Sequence, residues 1–191
     1  YEKWRPRALS DVVGQDKAVE VLGRMIHNGA GGKAVWVNGI SGGGKTTLAR
    51  IVARSIADDW MIHEYDSGAD LTRGELDRIL DGVCLCGSGK GGRAVIVNES
   101  HSLRSDVVDK LKGVLERIPR HVVWCFTTTR EDQAALFEDH VGAAQLLSRC
   151  IRVSLTNQGL ASAFGARLVE IFKAEGFGEL TMANAVKVAN R

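Results

Sequence analysis

Proline is nearly absent from this chain, two residues in 191, while glycine is plentiful at 22. That balance suits tight turns around buried strands. No apolar run approaches the roughly 20 residues that a membrane-spanning helix needs, and no signal-peptide pattern stands at the start. The chain opens at Tyr1, not Met, so it reads as a trimmed piece. Cysteine is sparse at four, and a disulfide framework is not expected. A reducing, intracellular compartment, cytoplasmic or nuclear, fits better. Cys84 and Cys86 lie too close in sequence for the usual zinc-binding pair, with no second pair nearby. A strong charge of either sign is also missing. The net charge of +2 is too small to argue for nucleic acid by itself. At 45% hydrophobic and 25% charged residues, the chain reads as soluble and globular. Its length allows one large domain, or one domain with a small appendage.

Against these absences stands one dense motif, Gly39-Ile40-Ser41-Gly42-Gly43-Gly44-Lys45-Thr46-Thr47. It has the form G-x-x-x-x-G-K-T of a phosphate-binding loop. An apolar run (34–37) precedes it and a helical run follows, which is the setting the motif requires. Glycines let backbone N–H groups converge on phosphate oxygens. The following helix adds its N-terminal donors and the positive end of its dipole. In this pattern Lys45 would reach the β- and γ-phosphates of a nucleoside triphosphate, and Thr46 would offer its hydroxyl to Mg²⁺. Gly39, Gly42, Gly43, Gly44 and Thr47 complete the candidate nucleotide-binding loop.

Short apolar runs rich in Val and Ile predict strands over 34–37, 60–65, 94–97, 122–127 and 150–153. Helical patterns predict helices over 16–28, 46–57, 71–82, 105–117 and 134–147. Strands of this kind read as buried on both faces, as in a parallel sheet covered by helices. Their alternation with helices predicts an α/β three-layer domain, with ligands at the carboxyl ends of the strands. After residue 154 only helices are expected, over 157–175 and 180–190, with Thr156 or Asn157 as a cap. The expected division is therefore 1–154 for the sheet domain and 155–191 for a helical piece. Residues 82–92 read as a glycine-rich surface loop, not as a second phosphate loop.

At the end of the third strand stands Asn98-Glu99-Ser100-His101. Many P-loop ATPases place an acid pair there, one acid for Mg²⁺ and one to activate water. Asn98 has the right shape without the charge and should hold Mg²⁺ less well. Glu99 is the candidate base. A strand end carrying solvated polar residues is the plainer alternative. Thr127-Thr128-Thr129 ends the next strand, where a hydroxyl can meet the γ-phosphate or the water, although threonine also suits a strand for its own reasons. Arg149 is either a solvated charge or an arginine finger serving a neighbouring subunit.

Taken together these residues resemble the AAA+ ATPases of the DNA-polymerase clamp-loader family. Glu2-Lys3-Trp4-Arg5-Pro6, followed by Val13-Gly14-Gln15, is similar to the family's K-Y-R-P…V-G-Q opening. The phosphate loop, the Asn98–His101 tetrad, Lys112, Leu115, Glu116 and Pro119 at a helix end, Thr127-Thr128 and the S-R-C triplet Ser148-Arg149-Cys150 follow in the family's order. The resemblance covers residues 2 to about 155. It implies a P-loop NTPase αβα sandwich, its five parallel strands in the order 5-1-4-3-2, followed by a helical lid that is incomplete here. ATP with Mg²⁺ would lie between sheet and lid, with Val12 and Val13 near the adenine. Thr128 would sense the γ-phosphate and Arg149 would act in trans. The partners implied are neighbouring AAA+ subunits, a sliding clamp and primer–template DNA, with no membrane.

The chain departs from the family at Asn98, in the lack of a four-cysteine module near 51–59, and in a lid that stops at Arg191 without a recognisable second sensor. The collar that builds the oligomer is missing, so this piece alone is expected to be monomeric. Arg104, Lys110 and Lys112 could face DNA phosphates, or simply solvate a helix face. Two other functions stay open: an ATP-binding structural subunit with weak or no hydrolysis, and another AAA+ motor such as a branch-migration helicase or a helicase loader.

Overall fold

The computed structural model of the chain describes residues 2–83, 89–129, 142–177 and 180–189. Cys84, Cys86, Arg191 and the first part of the helix expected over 134–147 lie outside the described residues.

Five strands form one parallel sheet: β1 Lys33–Asn38, β2 Ile62–Tyr65, β3 Arg93–Val97, β4 Val122–Thr128 and β5 Ile151–Ser154. Their order is β2-β3-β4-β1-β5, the expected 5-1-4-3-2 read from the other edge. Side chains alternate across the sheet, and both faces are buried. Ala34, Trp36, Val95, Val97, Val122, Trp124 and Phe126 point to one side. Val35, Val37, Ala94, Ile96, Val123, Cys125 and Val153 point to the other. This two-sided burial is why the central strands β1, β3 and β4 read as unbroken apolar runs, whereas the edge strands β2 and β5 carry exposed His63 and Arg152.

Helices α1 Asp16–His27 and α2 Lys45–Arg54 cover the second face through Ala18, Leu22, Met25, Leu48, Ala49 and Val52. Helices α3 Arg73–Val83, α4 Ser105–Glu116 and α5 Ala143–Ser148 cover the first through Leu76, Val107, Val108, Leu111, Leu115, Leu146 and Leu147. The contributing residues recur at three- and four-residue spacing, as one face of a helix must. In the sheet centre Trp36 pairs in register with Phe126. Their rings stack with centroids 5.5 Å apart, and Trp124 stacks on Phe126 at 6.0 Å. Each such ring taken from water contributes about 2–3 kcal/mol.

Two helices follow β5, α6 Leu160–Glu175 and α7 Met182–Ala189. They pack closely where Gly165 meets Val186. The cap of α6 is Gly159, in a left-handed conformation, and neither Thr156 nor Asn157 caps it. Thr156 Oγ1 instead accepts the Gln158 N–H at 3.0 Å, which tightens a turn ahead of the helix. The strand expected from residue 60 begins at Ile62, because Asp59–Met61 form a 3-10 turn that leaves Trp60 exposed. The helix expected to run to residue 57 ends at Arg54, where Ser55 Oγ folds back onto the Val52 carbonyl at 2.6 Å. Among the described residues no helix is long and apolar enough to cross a membrane.

Candidate nucleotide site

The loop from Gly39 to Gly44 joins the carboxyl end of β1 to the first turn of α2, and the parallel sheet aims that end at the ligand side. Gly44 precedes the helix with φ +97°, a conformation open to glycine at no steric cost. Lys45 is buried, and its ammonium donates to the carbonyls of Gly39 at 3.1 Å and Ile40 at 3.0 Å. The side chain thus curls over the loop it follows. Gln15 pins the loop from outside: its Nε2 donates to Gly43 O (3.3 Å) and Thr156 O (3.0 Å), and its Oε1 accepts the Thr156 N–H at 3.0 Å. Its side chain therefore ties the phosphate loop to the segment after β5. The V-G-Q pattern marked this residue in the sequence but not this function.

Across the loop lies a polar cluster built from four elements. Thr46 Oγ1 donates to Asn98 Oδ1 at 2.9 Å, and Thr127 Oγ1 donates to the same oxygen at 3.0 Å. Asn98 Nδ2 donates to Glu64 Oε1 at 3.1 Å. Glu64 is gripped by Arg50 through two bonds of 2.7 and 3.1 Å. That hydrogen bond is the main cause holding the Arg50 guanidinium above its ordinary pKa. Glu64 carried no signal as a site residue, since nothing in its spacing shows that three strand ends converge; Thr127 stood in the threonine run at the end of β4, but its bond to Asn98 was not foreseen. Thr128 is buried but turned elsewhere, its Oγ1 3.5 Å from His101 Nδ1.

Glu99 is the only non-glycine residue with positive φ among the described residues, at +45°. A side chain in that region costs about 1–3 kcal/mol. The strain is held by the Glu99 carbonyl, which accepts from Ser102 N (3.0 Å) and Ser102 Oγ (2.7 Å). The carboxylate itself is half exposed, 3.5 Å from His101 Nδ1.

A cavity of about 410 Å³ opens between the loop, the N-terminal segment and α6, within the range of small-ligand sites. Gly42, Gly43, Gly44 and Thr47 line one wall, Trp4, Pro6, Val12 and Val13 the second, and Phe164, Arg167 and Leu168 of α6 the third. The third wall is tied to the second by Glu175, which accepts from Lys3 Nζ at 2.7 Å and Trp4 Nε1 at 2.6 Å.

Arg149 lies apart from this cavity. It bonds Glu116 of its own chain and the Gln145 carbonyl, the latter at 2.6 Å. The basic residues near α4 are also paired within the chain: Arg104 with Asp106 at 3.6 Å, Lys112 with Asp109 at 2.7 Å, and Lys110 with Asp77. Among the described residues no group of His, Cys, Asp and Glu forms a metal-binding cluster. Thr46 and Asn98 do offer two neighbouring neutral oxygens. That donor set fits Mg²⁺ when phosphates and water complete its shell.

No protein-family model matches the chain. It is 35% identical over 119 residues to the replication factor C large subunit of Methanocella arvoryzae, a match covering 61% of this chain and 20% of that protein. It is 25% identical over 175 residues to the DNA polymerase III subunit tau of Escherichia coli, covering 80% and 26%. The chain thus spans a fifth to a quarter of the length of these two relatives. Among solved structures, RuvB of Thermotoga maritima, a Holliday junction branch migration motor, superposes with a TM-score of 0.72 at 24% identity, covering 98% of this chain and 60% of that one. A DNA polymerase III gamma subunit-related protein from the same species superposes at 0.58 with 20% identity, covering 88% and 57%. The structures show the fold, and the sequence relatives narrow the likeness: the chain is similar to subunits of replication factor C and of DNA polymerase III, over a parallel sheet of the order expected for an AAA+ P-loop module.

Proposed function

We propose that the chain is the ATP-binding and ATP-hydrolysing module of a clamp-loader-like complex, which loads a sliding clamp onto primer–template DNA. The observation that carries this reading is the direct bond from Thr46 of the phosphate loop to Asn98 at the end of β3, beside a cavity walled by Val12, Val13 and α6. A triphosphate lying along the loop would meet Lys45, whose ammonium would exchange its two carbonyl partners for the β- and γ-phosphates. The backbone N–H groups of Gly42, Gly43 and Gly44 and the first turn of α2 would complete the cradle. Val12 and Val13 would take the adenine, and Thr47 would sit beside the phosphates. Thr46 and Asn98 would hold Mg²⁺, which when bound neutralises phosphate charge.

Glu99 would orient and deprotonate the attacking water. Its strained backbone supports that role, since strain of this kind clusters at active sites. Thr128 would report the γ-phosphate through His101. Arg149 would serve the ATP of a neighbouring AAA+ subunit, after leaving Glu116. Residues 155–191 would form part of the lid over a sheet domain ending near 154. Contact of α4 with DNA would compete with the ion pairs that Arg104, Lys110 and Lys112 already make. The relatives' replication names support an intracellular setting, cytoplasmic or nuclear.

Lys45→Ala is expected to weaken ATP binding at least tenfold in equilibrium titration; unchanged affinity would sink the reading. A second reading is favoured by Asn98 itself: an amide stands where an acid would hold Mg²⁺ more firmly. On that reading the chain is a catalytically weak or silent ATP-binding subunit. Turnover at this site alone, measured in the assembled complex with the other sites disabled, separates the two. Robust turnover rejects the silent subunit. The likeness to RuvB leaves another AAA+ motor as a further alternative, which a winged-helix rather than collar-like C-terminal region would favour.

A further inference from the structure

Asn98 can face its neighbours in two ways, because its amide carries an acceptor at one end and donors at the other. What lies behind it settles the choice. Asn98 Nδ2 is 3.1 Å from Glu64 Oε1, and a carboxylate can only accept, so the amide oxygen cannot turn that way. Glu64 in turn is fixed by the two bonds from Arg50. The amide oxygen therefore points forward, where the hydroxyls of Thr46 and Thr127 both donate to it. The chain of contact runs from Arg50 on α2 through β2 and β3 and returns to Thr46 on α2, one helical turn before Arg50.

We propose that Glu64 is the positioning residue of this site. Its carboxylate aims the Asn98 oxygen at Thr46, and the amide at 98 and the acid at 64 form a matched pair that can be exchanged only together. The inference deepens the ATP-binding reading and rests on it for the cation alone. Asn98→Asp by itself does not create a better acid site, because it sets two carboxylates about one hydrogen bond apart, each disfavouring the other's charge. The double variant, Asn98→Asp with Glu64→Gln, carries the same net charge as the parent. It keeps the hydrogen bonds around position 98, because the amide introduced at position 64 would donate to the carboxylate introduced at position 98, and both threonines would still donate forward; Arg50 keeps only its bond through Nε, since the oxygen replaced is the one that also accepts from Arg50 Nη2. Its negative charge then sits beside Thr46 instead of behind position 98.

The test is a cycle of four proteins: the parent, Asn98→Asp, Glu64→Gln and the double variant. Thermal unfolding without nucleotide is read first, then the Mg²⁺ concentration that half-saturates binding of a fluorescent ATP analogue. Asn98→Asp is expected to lower Tm by about 3–6 °C, and the double variant to recover at least half of that loss. The double variant is also expected to reach half-saturation at several-fold lower Mg²⁺ than the parent. Additive Tm changes, or an Asn98→Asp protein as stable as the parent, overturn the matched pair. A recovered Tm with an unmoved Mg²⁺ half-point overturns the aiming at Thr46. If Asn98→Asp does not fold, folding of the double variant is the rescue. Failure of both while Glu64→Gln folds overturns the proposal. If no protein in the cycle binds the analogue, the ATP reading fails, while the Tm cycle still decides the pair.

Discussion

Two adjacent threonines at the end of β4 do different work although both are buried. Thr127 donates to Asn98 at 3.0 Å, whereas Thr128 reaches only His101, at 3.5 Å. Valine matches threonine in shape but removes the hydroxyl, so substituting each in turn isolates its hydrogen bond. Thr127→Val should cost about 1 kcal/mol, or a Tm fall of about 2–4 °C, because the Asn98 oxygen loses one of two donors. Thr128→Val should cost less in the absence of ligand. A larger Tm loss at Thr128 in differential scanning calorimetry would contradict this ranking.

At the scale of elements, the N-terminal segment and α6 meet at Gly14. Its φ is +74°, and a Cβ there would stand 2.9 Å from Leu160 Cδ2 and 3.1 Å from Ala163 Cβ. Gly14→Ala should therefore destabilise by about 1–3 kcal/mol in denaturant unfolding and displace the first turn of α6. The helix-facing wall of the cavity would move with it, and weaker nucleotide binding is the second readout. An alanine tolerated without loss would show that α6 is not seated there.

The strands were legible in the sequence because a sheet buried on both faces leaves continuous runs such as 122–127. Where an element begins was less so: Trp60 reads as strand by its side chain, yet the 3-10 turn Asp59–Met61 leaves it in solvent. Gly159 took the capping position from Thr156 and Asn157, because a left-handed residue was needed there and glycine supplies it without strain. In the site, the contiguous phosphate loop exposed Lys45 and Thr46, and the polar run that ends β3 exposed Asn98. Gln15, Glu64 and Thr127 gain their meaning only from partners 28, 34 and 29 residues away, a distance no local pattern spans. For Arg149 the sequence offered a solvated charge or a finger, and neither included its bond to Glu116.

For the whole molecule, the joint between the N-terminal segment and α6 is electrostatic as well as apolar. Hydrogen bonds from Lys3 and then Trp4 hold the Glu175 carboxyl below its ordinary value of 4.5. A group depressed on folding contributes stability above its unfolded pKa and loses it as pH falls through the folded one. The Tm difference between parent and Glu175→Gln should thus be positive at pH 7 and shrink below about pH 4.5. A difference that stays constant down to pH 3 would show that the carboxylate charge is not what matters.

The same joint has a reciprocal side. A ligand that touches both the phosphate loop and α6 favours the state in which Trp4 and Glu175 are joined, and coupling of this kind runs equally in both directions. Whatever factor acid takes from the affinity of such a ligand by releasing Glu175, the bound ligand returns as resistance of the joint to acid.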